Sequence, residues 1–165
     1  MEVMPNIRSK DILAPGEEQK LIEQLQAIAQ TMRSPAHIDL TQLAWETQST
    51  RIRNAAALAL LALGVPQTAE LMLRLLSRKD TKGARGTLLY VLNELRASVP
   101  LELLVDLLIT ENYEAQEEAL TLLERAHFDE MDRMSALAKL KPLKRSRDKH
   151  MSLLASEAVD LLKRT

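Results

Sequence analysis

The chain contains no cysteine, which excludes disulfides, thiolate metal sites and thiol catalysis together. It also removes any reason to place the protein in an oxidising compartment. Aromatic residues are almost as scarce, with Trp45, Tyr90, Tyr113 and Phe128 making up the whole set. Neither sign of charge is in excess: 22 Lys plus Arg face 23 Asp plus Glu, for a net charge of −1. A balance this even argues against non-specific binding to nucleic acid or membranes by the whole molecule, because such binding needs a basic surplus. Long apolar runs are missing too. The longest, Ala55 to Leu63, has nine residues, whereas a membrane-spanning helix needs about 20. Residues Met1 to Lys10 hold an early acid and a proline with no continuous apolar stretch, so no signal peptide is expected and a cytoplasmic location is the default.

What remains is rich in leucine and alanine. At 165 residues, 46% apolar and 27% charged, the chain is expected to fold as one soluble domain over 17–165, preceded by an N-terminal arm over 1–16. Leu, Ala, Glu, Lys, Gln and Arg favour helices, while the β-branched and aromatic residues that build sheets are few, so the fold class is all-α. Apolar spacings of three and four predict a helix over Glu17–Arg33, with Leu21, Leu25, Ile28, Ala29 and Met32 on one face. Further helices are predicted over Ile38–Thr47, Arg51–Leu63, Pro66–Ser77, Thr81–Leu95, Pro100–Ile109, Asn112–Ala126, Asp129–Leu140 and Ser146–Lys163. Gly64 supplies a left-handed C-terminal cap, and Pro66 is placed at the first turn of its helix.

The helices recur in pairs. Ile52 to Gly64 aligns with Ala84 to Arg96, 32 residues later, keeping Arg in the second place and Leu in the ninth and twelfth. Leu43, Leu75 and Leu107 are 32 apart, as are Ala44, Leu76 and Leu108. Glu118 to Arg125 nearly repeats as Glu157 to Arg164. Two apolar helices per period of about 32 cannot bury their faces alone and must stack on neighbours.

The stretch Ile52 to Gly64, with its branched-apolar-Arg start, alanine run and Leu-x-x-Leu-Gly ending, resembles the first helix of a HEAT-like repeat. The resemblance covers most of 17–164, as about four and a half helix pairs, and weakens at both ends. It implies an armadillo-like, right-handed α-α superhelix, an α-solenoid, with a protein-binding or scaffold role. In such repeats the second-place arginine contacts an acid from a neighbouring turn. This gives Arg53 and Arg85 structural roles, with Asp80 as a partner. The fourth copy departs from the pattern, carrying Gln116 in that place.

No residue constellation points to catalysis, and no cofactor is implied. The histidines His37, His127 and His150 are far apart in sequence and none has a second histidine at i+4, so no metal site is expected and they read as solvated turn residues. No phosphate-cradling or nucleophile motif occurs. Gly83-Ala84-Arg85-Gly86 mimics the G-x-x-G loop of KH domains, but it begins a helix in an all-α chain. Glu117 and Glu118 read as a solvated face. Acids dominate Glu111 to Glu130, while Lys139, Lys141, Lys144, Arg145, Arg147 and Lys149 cluster around Pro142. That basic cluster is expected either to face the acidic repeat or to bind phosphate.

In HEAT-like arrays the second helices line the concave surface. With each apolar stripe turned inward, the opposite sides carry Ile38, Gln42 and Trp45, then Glu70, Arg74 and Ser77. The next two carry Glu102, Asp106 and Ile109, then Asp132, Ala136 and Lys139. These triplets define an expected protein-binding strip, acidic in the middle, with Trp45 and Ile109 as its exposed apolar groups. Trp45 has an alternative role, packing against the arm Met1–Ala14. The resulting expectation is a non-catalytic binding module, an adaptor or a dedicated inhibitor such as an immunity protein, whose partner carries a basic patch. The alternative is a nucleic-acid-binding protein resembling the HEAT-like alkylpurine DNA glycosylases, with Lys144, Arg145 and Arg147 as possible contacts. An enzyme resembling the HEAT-like bilin lyases would have no supporting residues.

Overall fold

A computed structural model of the chain describes residues 13–33 and 39–164. Among them are nine α-helices and no strand. In order these are α1 (Pro15–Thr31), α2 (Leu40–Glu46), α3 (Thr50–Ala62), α4 (Thr68–Leu76), α5 (Gly86–Glu94), α6 (Leu101–Thr110), α7 (Tyr113–Glu124), α8 (Glu130–Leu140) and α9 (Lys149–Arg164). Short 3-10 helices span Lys79–Thr81 and Lys141–Arg145. The chain divides into two compact units, 1–81 and 82–165.

Local chemistry starts four of these helices. Asp39, Ser49, Asn112 and Asp129 each turn a side-chain oxygen onto the backbone N–H three residues later, giving α2, α3, α7 and α8 their N-caps. In unit 1, α3 packs against α1, α2 and α4, and α2 also packs on α4. A helix touched on three sides has no room for large side chains all round, and α3 accordingly buries Ala55, Ala56, Ala57 and Ala59 beside Ile52 and Leu60. In unit 2, α5 packs on α7 and α7 on α9, while α6 packs on α8. Helices two apart in the chain therefore pack on each other, and so do the neighbours α6 and α7 and α8 and α9. Each buried leucine of these layers contributes about 1.5–3 kcal/mol through removal from water.

Four long-range side-chain hydrogen bonds have similar sequence separations: Ser49 bonds Glu18, Arg51 bonds Gln19, Arg125 bonds Asn93, and His150 bonds Gln116, at 31, 32, 32 and 34.

Two of the C-terminal turns are built alike. After α3, Gly64 is left-handed (φ 61°), Val65 N–H donates to the Leu60 carbonyl at 3.1 Å, and Gly64 N–H to the Leu61 carbonyl at 3.0 Å. After α5, Arg96 is left-handed (φ 51°), with Ala97 N–H on Leu92 at 2.9 Å and Arg96 N–H on Asn93 at 3.0 Å. Both are Schellman caps. A side chain in that conformation costs about 1–2 kcal/mol, against about 0.5–1 kcal/mol for the extra backbone entropy of glycine. Arg96→Gly is therefore expected to raise stability by about 0.5–1 kcal/mol in chemical denaturation, and Gly64→Arg to lower it by a similar amount.

Three boundaries differ from expectation. The helix expected over Thr81–Leu95 begins only at Gly86, because Gly83 is left-handed (φ 79°) and its N–H is taken by a distant carboxylate instead of a helical carbonyl. Pro66 precedes its helix instead of opening it, with left-handed Gln67 intervening. The last helix, expected from Ser146, begins at Lys149, after a connection that forms a 3-10 helix over Lys141–Arg145.

Candidate functional site

Within unit 1 one predicted residue, Arg74, is brought against Trp45. Trp45 is half-buried near the end of α2, and the guanidinium carbons of Arg74 and Arg78 lie 4.6 and 4.9 Å from its ring centroid. Both distances fall within cation–π range. Arg78 is further fixed, donating through Nη1 to the Trp45 carbonyl and through Nε and Nη2 to the Asp80 carboxylate at 2.8 and 2.6 Å. Trp45 is thus not a bare apolar group. The arm proposed as its packing partner lies, up to residue 12, outside the described residues. Gln42 is exposed and reaches the Glu46 carboxylate at 3.2 Å, while Glu70 is exposed in the first turn of α4, where the helix dipole favours an acid. Ile38 and His37 also lie outside the described residues.

Asp80 joins this surface to the core. Arg53, with 1% of its side chain accessible, donates to Asp80 at 3.2 Å and to the Thr47 carbonyl at 2.8 Å. Burial pulls the Arg53 guanidinium below its ordinary value, and the Asp80 charge restores part of that. The Arg78 hydrogen bond, aided by the Arg78 and Arg53 charges, holds the Asp80 carboxyl below the usual carboxylate range. The second repeat arginine does not share this acid. Arg85 instead donates to Glu111 at 2.9 Å, and the same carboxylate accepts the Gly83 N–H at 2.9 Å. Where the fourth copy has Gln116, its Nε2 donates to the Leu108 carbonyl at 3.0 Å and its Oε1 meets His150 Nε2 at 2.7 Å.

Within unit 2 the expected acidic middle is bridged. Lys139 on α8 lies 3.1 Å from Asp106 and 3.5 Å from Glu102 on α6, and the Asp106 hydrogen bond raises the Lys139 ammonium above its ordinary value. Asp132 is exposed, but Ala136, placed on the same outward side, is buried at 4%, and Ile109 is half-buried instead of exposed. The α8 inward stripe includes Ala136, so the outward direction there runs through Met131 and Met134. Those two, with Leu153, are the strongly exposed apolar groups of this end, and the sequence reading missed them. Large side chains on a helix's far side carry no signal until the register of its neighbour is known.

The basic segment makes no ion pair with the acidic repeat: among the described residues, Lys141, Lys144, Arg145, Arg147 and Lys149 form none. Asp148 caps α9 with its own carboxylate, accepting from the His150 and Met151 N–H groups at 2.9 and 3.3 Å, so the N–H groups that would otherwise hold a phosphate are taken. His150 is not a free turn residue, because it also lies 5.4 Å from the Tyr113 ring. Glu118 is likewise no part of a solvated face, since its carboxylate accepts from Asn93.

No group of three or more acids and histidines among the described residues could hold a metal ion. No described helix is long and apolar enough to cross a membrane. Comparison with protein-family models, with curated proteins and with solved structures gave no match.

Proposed function

We propose that the chain is a non-catalytic protein-binding module built of HEAT-like helix pairs, an adaptor or a dedicated inhibitor such as an immunity protein, which docks a partner on the exposed side of α2 and α4. Trp45 carries this reading. It is the sole tryptophan of the chain, and two guanidinium groups hold it half-exposed at the surface of α2. Tryptophan and arginine are the side chains most enriched among binding hot spots, and a rigid aromatic loses little entropy on docking. The packing of helices two apart in the chain, with side-chain hydrogen bonds at separations of 32 residues, supports the repeat assignment.

The test is a reconstituted complex. A protein captured from native lysate is identified, purified and titrated calorimetrically against wild type and Trp45→Ala, with circular dichroism checking that the variant is folded. Loss of a hot spot is expected to weaken the complex about thirtyfold or more. Unchanged affinity of a folded variant would rule out this face. The charge reversals Glu102→Lys and Asp106→Lys extend the same titration to α6.

A further inference from the structure

Arg74 differs from every other cation near Trp45. Its guanidinium stacks on the ring at 4.6 Å, yet among the described residues it has no carboxylate and no hydrogen-bond acceptor. Arg78, over the same ring, is already committed to Asp80 and to the Trp45 carbonyl. Glu70, one helical turn before Arg74, makes no ion pair with it.

Stacking prepares a guanidinium for a partner. The indole restricts the long side chain, so less rotamer entropy remains to be lost on binding, and it shields one face of the cation from water. The in-plane N–H groups stay available, and their fork matches the two oxygens of a carboxylate. The Trp45 ring beside it offers apolar surface to a neighbouring side chain.

The charge around this pair selects the kind of anion. A nucleic-acid backbone is held by several lysines and arginines acting on successive phosphates. Over the ring itself one cation is uncommitted, Asp80 is shared by Arg78 and the buried Arg53, and the acids Glu46 and Glu70 stand on the same two helices. A single free guanidinium fork beside two acids suits one carboxylate better than a chain of phosphates.

We infer that the Trp45–Arg74 face of α2 and α4 binds an acidic segment of a partner protein, with a glutamate or aspartate side chain forked on Arg74 and an adjoining apolar side chain on Trp45. This rests on the protein-binding reading and gives the partner an acidic segment at this face, in place of the basic patch expected from the acidic middle of the strip.

Because Trp45 is the only tryptophan, its fluorescence reports on the site directly. The full chain is titrated with three short peptides blocked at both ends, in which leucine alternates with glutamate, with glutamine or with lysine. The glutamate peptide is expected to give a saturable change in emission, at least about tenfold tighter than the glutamine peptide, as for a lost charge-assisted hydrogen bond. Arg74→Gln should erase that preference, and Arg74→Lys should restore only part of it, because an ammonium lacks the fork. Equal affinity for the glutamate and glutamine peptides, a preference that survives Arg74→Gln, or no response to the glutamate peptide up to millimolar concentration would each overturn the inference. Tight binding of the glutamine or lysine peptide would do so while leaving the protein-binding reading intact. A response to a DNA duplex and to no peptide would overturn both.

Discussion

Glu111→Ala is expected to destabilise the protein by about 3–5 kcal/mol, the usual cost of removing one partner from a buried ion pair. The Glu111 side chain is fully inaccessible and accepts from Arg85 Nη1 and from the Gly83 N–H, each at 2.9 Å. Alanine would take the carboxylate from a guanidinium only 13% accessible and leave the Gly83 N–H without its acceptor. Glu111→Gln should do nearly as badly. Only one of its terminal atoms accepts, so its NH2 group must face either Arg85 or the Gly83 N–H, donor against donor. The double substitution Arg85→Met with Glu111→Leu should recover much of the loss, because apolar pairs of similar volume replace buried ion pairs at little cost. Urea unfolding of the three variants checks this. A loss below about 1 kcal/mol in Glu111→Ala would mean that the pair contributes nothing to the turn, since that is the size of a surface ion pair.

The Glu111 contact also marks the boundary of what the sequence could reveal. The all-α class and the period of 32 were legible because Leu and Ala must recur wherever one helix stacks on another. The cap at Gly64 and its counterpart at Arg96 were visible in the same alignment. The turn before α5 was not, because nothing between Thr81 and Leu95 forbids a helix locally. Its geometry is set by a carboxylate 28 positions away. Arg85 was given a structural role for the right reason, but its acid stands one period beyond Asp80, and the alignment could have carried Asp80 forward to Glu111. On the candidate surface, Gln42, Glu70 and Arg74 emerged on the outward side as expected, since a single helix fixes which residues oppose its own stripe. Ala136 did not, because α8 has a weak stripe that can be rotated by one residue without penalty. The two guanidinium groups over Trp45 belong to α4 and the turn after it, so they depend on how α4 sits beside α2, and only packing decides that.

The Arg53–Asp80 pair in unit 1 offers the contrasting case, in which the cation is the buried partner. Asp80→Ala is expected to cost about 2–4 kcal/mol, somewhat less than a fully buried pair because Asp80 is 39% accessible. It would leave Arg53, 1% accessible, with only the Thr47 carbonyl. Arg53→Met should cost less, about 1 kcal/mol. It removes the buried charge itself, keeps most of the packed stem, and leaves Asp80 its pair with Arg78 at 2.6 Å. The order of the two variants is thus the reverse of what burial alone suggests, since Arg53 is the more buried residue. pH supplies an independent check on Asp80. A carboxyl held below its ordinary value in the folded state contributes stability that is present above that ordinary value, near 4, and is lost as pH falls through the lowered one. The stability gap between wild type and Asp80→Ala should therefore be flat from pH 7 to about 5 and narrow below about 4. A gap that stays constant down to pH 2 would show that Asp80 acts through its shape and not its charge.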